Sequence, residues 1–330
     1  NDGTKNSTRC GSLARKLKGK ECSMLALQEA AVLRGHRGSV LSVSFNNDGN
    51  YCMSGGDDRR VLLWNPRREA TELVPIKEYS GHSQRVLDVV ISHDNASFSS
   101  CGEDRAVFLW DVSSGRVTRR FVGHTQRVNA VAFNAESTVL ISGSYDTSVR
   151  CWDCRSRATT PVQVLAESSD SVSSVAISGH EIFAASVDGV VRCYDLRAGT
   201  LCSDTIGLAL THVSLSHDSE CMLVAALDSR LRLMDKGSGQ LLNEYTGHQN
   251  NKFKLACCLS YDDAYVICGS EDGYLYMWDL VEPKQVARVR GHATAIGSVA
   301  CDPKQMELLT AGYDGSIKLW KMNETDVKRK

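Results

Sequence analysis

A histidine, a hydroxyl residue and an aspartate recur together at fixed spacing in this chain, and these are the side chains of a nucleophilic hydrolase. In one copy, His124 is followed after 18 residues by Ser142, and Asp146 comes four residues later. A histidine base that removes the serine proton, oriented by a carboxylate, would make that serine a nucleophile. The sequence therefore raises the question of whether Ser142 attacks a substrate or stabilises the fold.

The number of copies favours the fold. Four copies are complete, and each of these carries a tryptophan six positions after its aspartate. They are His36, Ser54, Asp58 and Trp64; His82, Ser100, Asp104 and Trp110; His124, Ser142, Asp146 and Trp152; and His292, Thr310, Asp314 and Trp320. No nucleophile-elbow glycine pattern surrounds the serines. A buried indole N–H needs an acceptor and a buried carboxylate needs donors, so each set is predicted to be one structural chain of hydrogen bonds with the aspartate tied to the tryptophan. We predict no catalytic residue, no enzyme activity and no cofactor.

The sets belong to a longer repeat that runs through most of the chain. All five tryptophans occupy one position of it, and Tyr194 and Met234 take that position in two degenerate copies. From Trp64 to Trp320 the steps are 46, 42, 42, 40, 44 and 42 residues. Units of this length, five of which have a Gly-His pair upstream of the aspartate, resemble the blades of the WD40-repeat family. The resemblance implies an all-β fold, a seven-bladed WD40 β-propeller.

Three segments follow from this repeat. Residues 1–24 are basic with few large apolar groups and are predicted to form a disordered tail. Residues 25–322 are predicted to form the propeller, and residues 323–330 a C-terminal tail. Residues 27–33 stand before His36 as later outer strands stand before their histidines, so the N-terminal strand is predicted to close the ring in the last blade.

Composition limits the partners. The net charge is −1, which gives no general attraction to nucleic acid, so any such contact is predicted to be indirect or through the basic tail. No apolar run reaches the roughly 20 residues needed to cross a bilayer. The 13 cysteines are scattered and are predicted to be reduced, buried and apolar in character. Cys151 and Cys154 have metal-ligand spacing, but no second pair follows, so no metal site is predicted.

The central copies lose the polar set in steps. The sixth has Cys268 in place of the hydroxyl, and the fourth has Ser168, Ala184 and Tyr194 in place of histidine, hydroxyl and tryptophan. The fifth keeps only Asp228 and is predicted to rely on apolar packing alone. Two interpretations stay open. Either these repeats have diverged in sequence toward apolar packing, or this part of the propeller is less stable and a partner covers it.

Candidate partner-binding residues lie where loops meet. A WD40 blade has four strands, labelled a to d from the central channel outward. The loops between the outer strand d and the inner strand a of the next blade carry Gly-His, and the turns between strands b and c carry the aspartate. Both emerge on one face, called the top rim here. Arginine and tyrosine dominate interface hot spots, and the rim candidates are Arg37, Arg85, Arg127, Tyr145 and Tyr313. Asp57 and Glu103 lie among them, so the rim is mixed in charge.

Several stretches resemble the mitogen-activated protein kinase organiser family of WD-repeat proteins. They include DGNYC at 48–52, WDCRSR at 152–157, SVDG at 186–189 and SEDG at 270–273, and the agreement extends to the degenerate copies. The resemblance, over roughly residues 33–320, implies a non-catalytic, monomeric scaffold that assembles kinase-cascade components. It also implies association with the pre-mRNA splicing machinery, and hence a location in both cytoplasm and nucleus.

A further short motif keeps a third role open. Trp152, Asp153 and Arg155 are similar to the Trp-Asp-x-Arg box of propellers that serve as substrate receptors of cullin-based ubiquitin ligases. The alternative is that Arg155 pairs with a nearby carboxylate at the end of its strand.

Overall fold

The computed structural model describes residues 25–68 and 72–324, which form strands and connecting turns with no helix. The strands in chain order are β1 (Leu25–Arg34), β2 (Val40–Phe45), β3 (Cys52–Gly56), β4 (Arg60–Trp64), β5 (Glu72–Leu73), β6 (Lys77–Ser80), β7 (Val86–Ile91), β8 (Ser97–Gly102), β9 (Ala106–Asp111), β10 (Val117–Val122), β11 (Val128–Phe133), β12 (Val139–Ser144), β13 (Val149–Asp153), β14 (Gln163–Leu165), β15 (Val172–Ser178), β16 (Glu181–Ser186), β17 (Val190–Asp195), β18 (Thr200–Thr205), β19 (Leu210–Leu215), β20 (Cys221–Ala226), β21 (Arg230–Asp235), β22 (Leu241–Thr246), β23 (Cys257–Leu259), β24 (Tyr265–Gly269), β25 (Tyr274–Asp279), β26 (Gln285–Arg290), β27 (Ile296–Cys301), β28 (Glu307–Gly312) and β29 (Ser316–Glu324). The predicted basic tail lies outside the described residues.

These strands form seven antiparallel sheets, the blades of a β-propeller, as predicted. Blade 1 is β2-β3-β4-β6, and the blades that follow take four consecutive strands each up to β23-β24-β25-β26 of blade 6. The inner strands β2, β7, β11, β15, β19, β23 and β27 contact one another in turn and line a central channel. Burial decreases outward: β20 and β28 are buried along their whole length, whereas β18 is almost entirely exposed.

The N-terminal strand closes the ring, which confirms the prediction. β1 pairs antiparallel with β29, from Leu33 beside Ile317 to Leu25 beside Glu324. The last strand therefore continues past Met322, where the propeller was predicted to end. Because β1 covers β29, the sheet of blade 7 has no open edge at that strand.

A fifth strand in blade 7 was not predicted. The short β5, in the connection between β4 and β6 of blade 1, pairs in parallel with β1 at Leu33 and Leu73. Leu73 is buried against Leu33 and Trp64. β1 thus lies between β29 of blade 7 and β5 of the blade 1 connection. Its pairing with both strands joins the first and last blades.

The core lies between neighbouring blades. One cluster takes Cys101 and Val107 from blade 2 and Leu140 and Trp152 from blade 3, all at most 1% exposed. Large aromatic groups bury 150–250 Å² each, roughly, and dominate such cores. Every blade therefore depends on its neighbours, and a fixed ring presents its loops on a rigid rim.

Candidate functional site

The polar set of blade 3 forms one continuous chain of hydrogen bonds. His124 Nδ1 lies 2.9 Å from Asp146, His124 Nε2 lies 2.7 Å from Ser142 Oγ, and the Trp152 indole N–H donates to Ser142 Oγ at 2.8 Å. Burial lowers the pKa of His124 against the opposing effect of Asp146. The neutral ring therefore donates from Nδ1 to the carboxylate and accepts the serine proton at Nε2. The order is aspartate, histidine, hydroxyl, tryptophan.

The other complete sets repeat this geometry. The histidine-to-hydroxyl distances are 2.7 Å in blades 1 and 2 and 2.8 Å in blade 7. The indoles of Trp64, Trp110 and Trp320 donate to the same hydroxyls at 2.8 to 2.9 Å. The prediction that the aspartate binds the tryptophan is therefore wrong: the indole reaches the hydroxyl, and the histidine stands between it and the carboxylate.

Although the order matches a catalytic triad, the hydroxyls cannot act as nucleophiles. Ser54, Ser100, Ser142 and Thr310 are all fully buried. In addition, each oxygen accepts an indole N–H, which occupies a lone pair that an attack would need. Each set links two strands, a loop and a turn, so it holds its d–a loop and b–c turn at fixed positions on the top rim.

The same contacts shift the pKa values of the aspartates in these sets. Burial acts to raise the pKa of Asp146, but hydrogen bonds from His124 and Ser148 outweigh it and hold that pKa well below its ordinary value. The backbone N–H of Thr125 also donates to the carboxylate at 2.9 Å. The ionised aspartate thus ties the loop after the histidine to the turn before strand c.

Blades 4 and 5 replace the histidine by arginine, which corrects the prediction that blade 5 relies on apolar packing alone. Asp228 pairs with Arg232 at 2.6 Å, and Asp188 pairs with Arg192 at 2.8 Å. Burial raises the pKa of Asp188, but the hydrogen bond from Arg192 prevails and lowers it to about 2. The signal was present in the sequence: an arginine stands four residues after the aspartate in blades 3, 4 and 5.

Blade 6 has lost the link between its histidine and its aspartate, and Asp272 instead accepts a hydrogen bond from the Tyr276 hydroxyl at 3.0 Å. Neither ring nitrogen of the buried His248 has a hydrogen-bond partner among the described residues, and the Trp278 indole donates to the carbonyl of Thr246 at 3.1 Å. Burial lowers the pKa of His248 to about 4. Because Cys268 stands in place of the hydroxyl residue, the neutral His248 ring is held by packing against Trp278.

The loop after His248 is longer than its counterparts and reaches across the molecule. His248 precedes its aspartate by 24 residues, against 22 in blade 3. Within this loop, Lys254 Nζ donates to the carbonyl of Asn129 in blade 3 at 2.8 Å. Lys254 lines the central cavity of about 370 Å³, and Asn129 lies beside it. The lysine ties opposite blades together, a role that the sequence analysis missed although the altered spacing marks the loop.

All five predicted rim residues lie on the top rim, in four groups. Arg85 is exposed and lies 3.6 Å from Asp57 and 3.7 Å from Glu103. The guanidinium of Arg127 lies 4.7 Å from the centre of the exposed Tyr145 ring. Tyr313 is half-buried under Phe253, with ring centres 5.0 Å apart, and Arg37 stands exposed after His36.

A rim cavity joins two of these groups. It has a volume of about 450 Å³ and lies between blades 2 and 3; its lining residues are Gln84, Glu103, Arg105, Gln126, Arg127 and Tyr145. Amide, guanidinium and aromatic groups therefore converge on one depression whose walls are positioned by the networks of blades 2 and 3. This cavity is the candidate functional site.

The remaining motifs hold no second site of this kind. Cys151 and Cys154 are free thiols, and no group of metal-ligating side chains occurs in residues 25–68 and 72–324. Arg155 lies at the rim opposite the aspartate turns, is 72% exposed and lies 3.4 Å from Asp153. Cys202 is exposed, unlike the buried cysteines that were predicted. A helix able to cross a membrane is absent from the described part of the chain.

Comparison with known families matches the repeat. The family model described as "WD domain, G-beta repeat" matches residues 27–65, 73–111, 115–153, 159–195, 239–279 and 283–321. The unmatched residues 196–238 contain most of blade 5, where Asp228 alone survives from the polar set. The model still matches blades 4 and 6, in which the polar set is only partly kept.

Similar proteins were found for part of the chain. WD repeat domain-containing protein 83 of Homo sapiens is 50% identical over 126 residues, 38% of this chain and 40% of that protein. The protein of the same name from Danio rerio is 45% identical over 129 residues, 39% of this chain and 41% of that protein. The homolog from Dictyostelium discoideum is 32% identical over 129 residues, 39% of this chain and 40% of that protein. The chain thus matches about 40% of the length of these relatives.

Proposed function

The chain belongs to the WD40-repeat family, whose propellers typically serve as non-catalytic scaffolds for protein interactions, and we propose that it assembles protein components of a kinase cascade on its top rim. One observation carries the proposal: Arg85, Arg127 and Tyr145 are exposed on a rigid rim, and none of them belongs to the hydrogen-bonded sets. Their side chains are of the types that contribute most binding energy at interfaces.

The kinase role rests on the resemblance of residues 33–320 to the kinase organiser family. Identity to WD repeat domain-containing protein 83 in three vertebrates and an amoeba is in keeping with it. The same resemblance supports a second role as a component of the pre-mRNA splicing machinery. The two roles place the protein in the cytoplasm and the nucleus respectively.

A ubiquitin-ligase receptor is the third candidate, and the exposure of Arg155 favours it. An adaptor protein could contact this side chain without disturbing the blade. If the chain acts this way, Arg155→Ala should abolish co-purification of a cullin adaptor while the partners of the top rim remain bound.

Affinity purification with mass spectrometry from cytosolic and nuclear fractions tests these roles. The double variant Arg85→Glu with Arg127→Glu should lose the main partner set, because two exposed cations that face the partner become anions. The matched control, Arg116→Glu with Arg197→Glu, makes the same charge change in exposed c–d turns on the opposite face.

The melting temperatures of both variants should stay close to that of the wild type, since exposed substitutions usually change stability by less than about 0.5 kcal/mol. Kinases in the cytosolic sample support the signalling role, and small nuclear ribonucleoproteins in the nuclear sample support the splicing role. Full retention of every partner by the Arg85 and Arg127 double variant would contradict the assignment of the top rim as the interface.

A further inference from the structure

Four arginines on the top rim of blades 1 to 3 have no anionic partner. Arg37, Arg59, Arg105 and Arg127 are exposed, and within residues 25–68 and 72–324 no guanidinium group among them donates to a carboxylate or carbonyl. The contrast with Arg60 is direct: its guanidinium lies 2.7 Å from both Asp58 and Glu78. The four cations are therefore available to a partner.

Two of these arginines occupy a backbone conformation that favours glycine. Arg59 has φ 67° and Arg105 has φ 62°, the left-handed region that side chains with a Cβ rarely adopt. Glycine holds the equivalent turn position in three other blades, as Gly189, Gly273 and Gly315. Within the part of the chain that the structure describes, neither guanidinium has a hydrogen-bond or ion-pair partner, so arginine adds no contact to the fold at these turns. Thr147 and Ser229 adopt the same conformation at this position in blades 3 and 5, so the two arginines are distinguished by their charge and not by the backbone.

The surroundings of Arg105 define what would bind. Arg105 and Arg127 face the same rim cavity between blades 2 and 3, together with the side-chain amides of Gln84 and Gln126. The carboxylate of Glu103 also lines this cavity, but Arg85 lies 3.7 Å from it and offsets its charge. Guanidinium groups bind carboxylates through two parallel hydrogen bonds, and amide N–H groups can add more. Tyr145, on which Arg127 stacks, gives the cavity an apolar wall for the methylene groups of an acidic side chain.

We propose that the top rim of blades 1 to 3 docks an acidic, extended polypeptide segment, with one carboxylate in the cavity beside Arg105 and Arg127 and another at Arg37 and Arg59. This inference rests on the proposed scaffold function and adds the chemistry of the partner. Carboxylates of this chain separate the two pairs of arginines, since Asp57 and Glu103 flank Arg85 at 3.6 and 3.7 Å. A continuous phosphate backbone would meet these carboxylates, whereas a polypeptide can place neutral residues opposite them.

Substitution by glycine separates binding from folding. Arg59→Gly with Arg105→Gly removes two cations and relieves the left-handed strain, so the melting temperature should stay at or above the wild-type value. Thr147→Gly is the matched control, because Thr147 holds the same turn position in blade 3 with φ 68° and carries no charge. That control should also keep or raise the melting temperature, and its binding should be unchanged.

The probe is a phage-displayed library of random peptides selected on the full chain. Peptides retained by the wild type and by Thr147→Gly, but not by the double glycine variant, should be rich in aspartate and glutamate. A synthetic peptide from that pool should bind the double variant at least about tenfold more weakly in fluorescence anisotropy, and its glutamine-substituted copy should lose affinity to a similar degree.

Three results would overturn the proposal. One is a retained pool with no enrichment in acidic residues, and another is equal affinity for the wild type and the double glycine variant. A third is tighter binding of single-stranded oligouridylate than of the acidic peptide, lost in the same variant, which would assign the rim to nucleic acid. The scaffold function itself fails separately, if the Arg85 and Arg127 charge-reversal variant keeps every cellular partner.

Discussion

Removal of Asp146 should destabilise the propeller much more than removal of Asp228. Asp146 accepts hydrogen bonds from His124 at 2.9 Å, from the Thr125 backbone at 2.9 Å and from the Ser148 hydroxyl at 2.6 Å. His124 and Ser148 are 6% and 5% exposed, so water cannot readily replace the lost acceptor. Asp146→Ala therefore strands two buried donors at about 1–3 kcal/mol each, roughly 4 kcal/mol together.

The contacts of Asp228 are easier to replace. Its partner Arg232 keeps 15% of its side chain exposed, and the carboxylate keeps 17%. After Asp228→Ala, the flexible guanidinium can turn toward solvent, which limits the cost to about 1–2 kcal/mol. The two variants thus remove the same residue type from the same turn position in blades with and without the histidine network.

Thermal unfolding measures the difference. An unfolding entropy of about 2.1 cal/mol/K per residue over roughly 300 ordered residues converts 1 kcal/mol into about 1.6 °C. The melting temperature should fall by about 6 °C for Asp146→Ala and by about 2–3 °C for Asp228→Ala. Equal shifts for the two variants would refute the reasoning that the buried aspartate–histidine–hydroxyl–tryptophan chain stabilises its blade beyond a salt bridge.

Three further perturbations have distinct readouts. Deletion of residues 1–24 should leave a folded propeller, because this segment has few large apolar residues and β1 begins at Leu25, whereas deletion of residues 1–34 removes β1, uncovers β29 and should cause aggregation in size-exclusion chromatography; a monomer of normal melting temperature after the longer deletion would contradict ring closure. The pKa of His248 is lowered from 6.5 to about 4, so its neutral state contributes stability above pH 6.5 that is lost as the pH falls toward 4, up to about 3 kcal/mol. His248→Phe should flatten urea midpoints measured between pH 4.5 and pH 7, and an unchanged pH profile would rule out this assignment. Arg155→Ala should leave the melting temperature unchanged, because Arg155 is 72% exposed, and a large loss of stability would mean that its contact with Asp153 is structural.

The repeat alone determined the blades and their closure. Because one unit cannot bury its apolar faces, seven units with the same tryptophan position predict a ring of sheets. The apolar spacing within residues 40–45, 86–91 and 128–133 indicates inner strands buried on both faces, and β2, β7 and β11 have these bounds in the structure. The side-chain types of the four complete sets also predicted a hydrogen-bonded chain in each blade. Local spacing is enough for the hydrogen-bonded sets, because each lies within one repeat, and closure follows from the alignment of residues 27–33 with the later outer strands.

The order of each chain and the partners of the central blades were decided by the tertiary structure. Sequence spacing placed Asp146 near Trp152, but the direction of the strands puts the His124 ring between them. Arg192 and Arg232 follow their aspartates by four residues. The geometry of the turn before strand c brings each guanidinium back to its carboxylate. Residue types and their spacing in the sequence did not show the order of the hydrogen bonds or these arginine partners.

Contacts between distant repeats were beyond the sequence for a related reason. Lys254 reaches Asn129 across the channel, and β5 of blade 1 pairs with β1 in blade 7. The rim cavity likewise needs Arg105 and Arg127 from different blades. A repeat pattern specifies what each blade does alone, whereas these contacts depend on the angle and distance between blades. The packing of the closed ring sets those quantities, and no single repeat contains them.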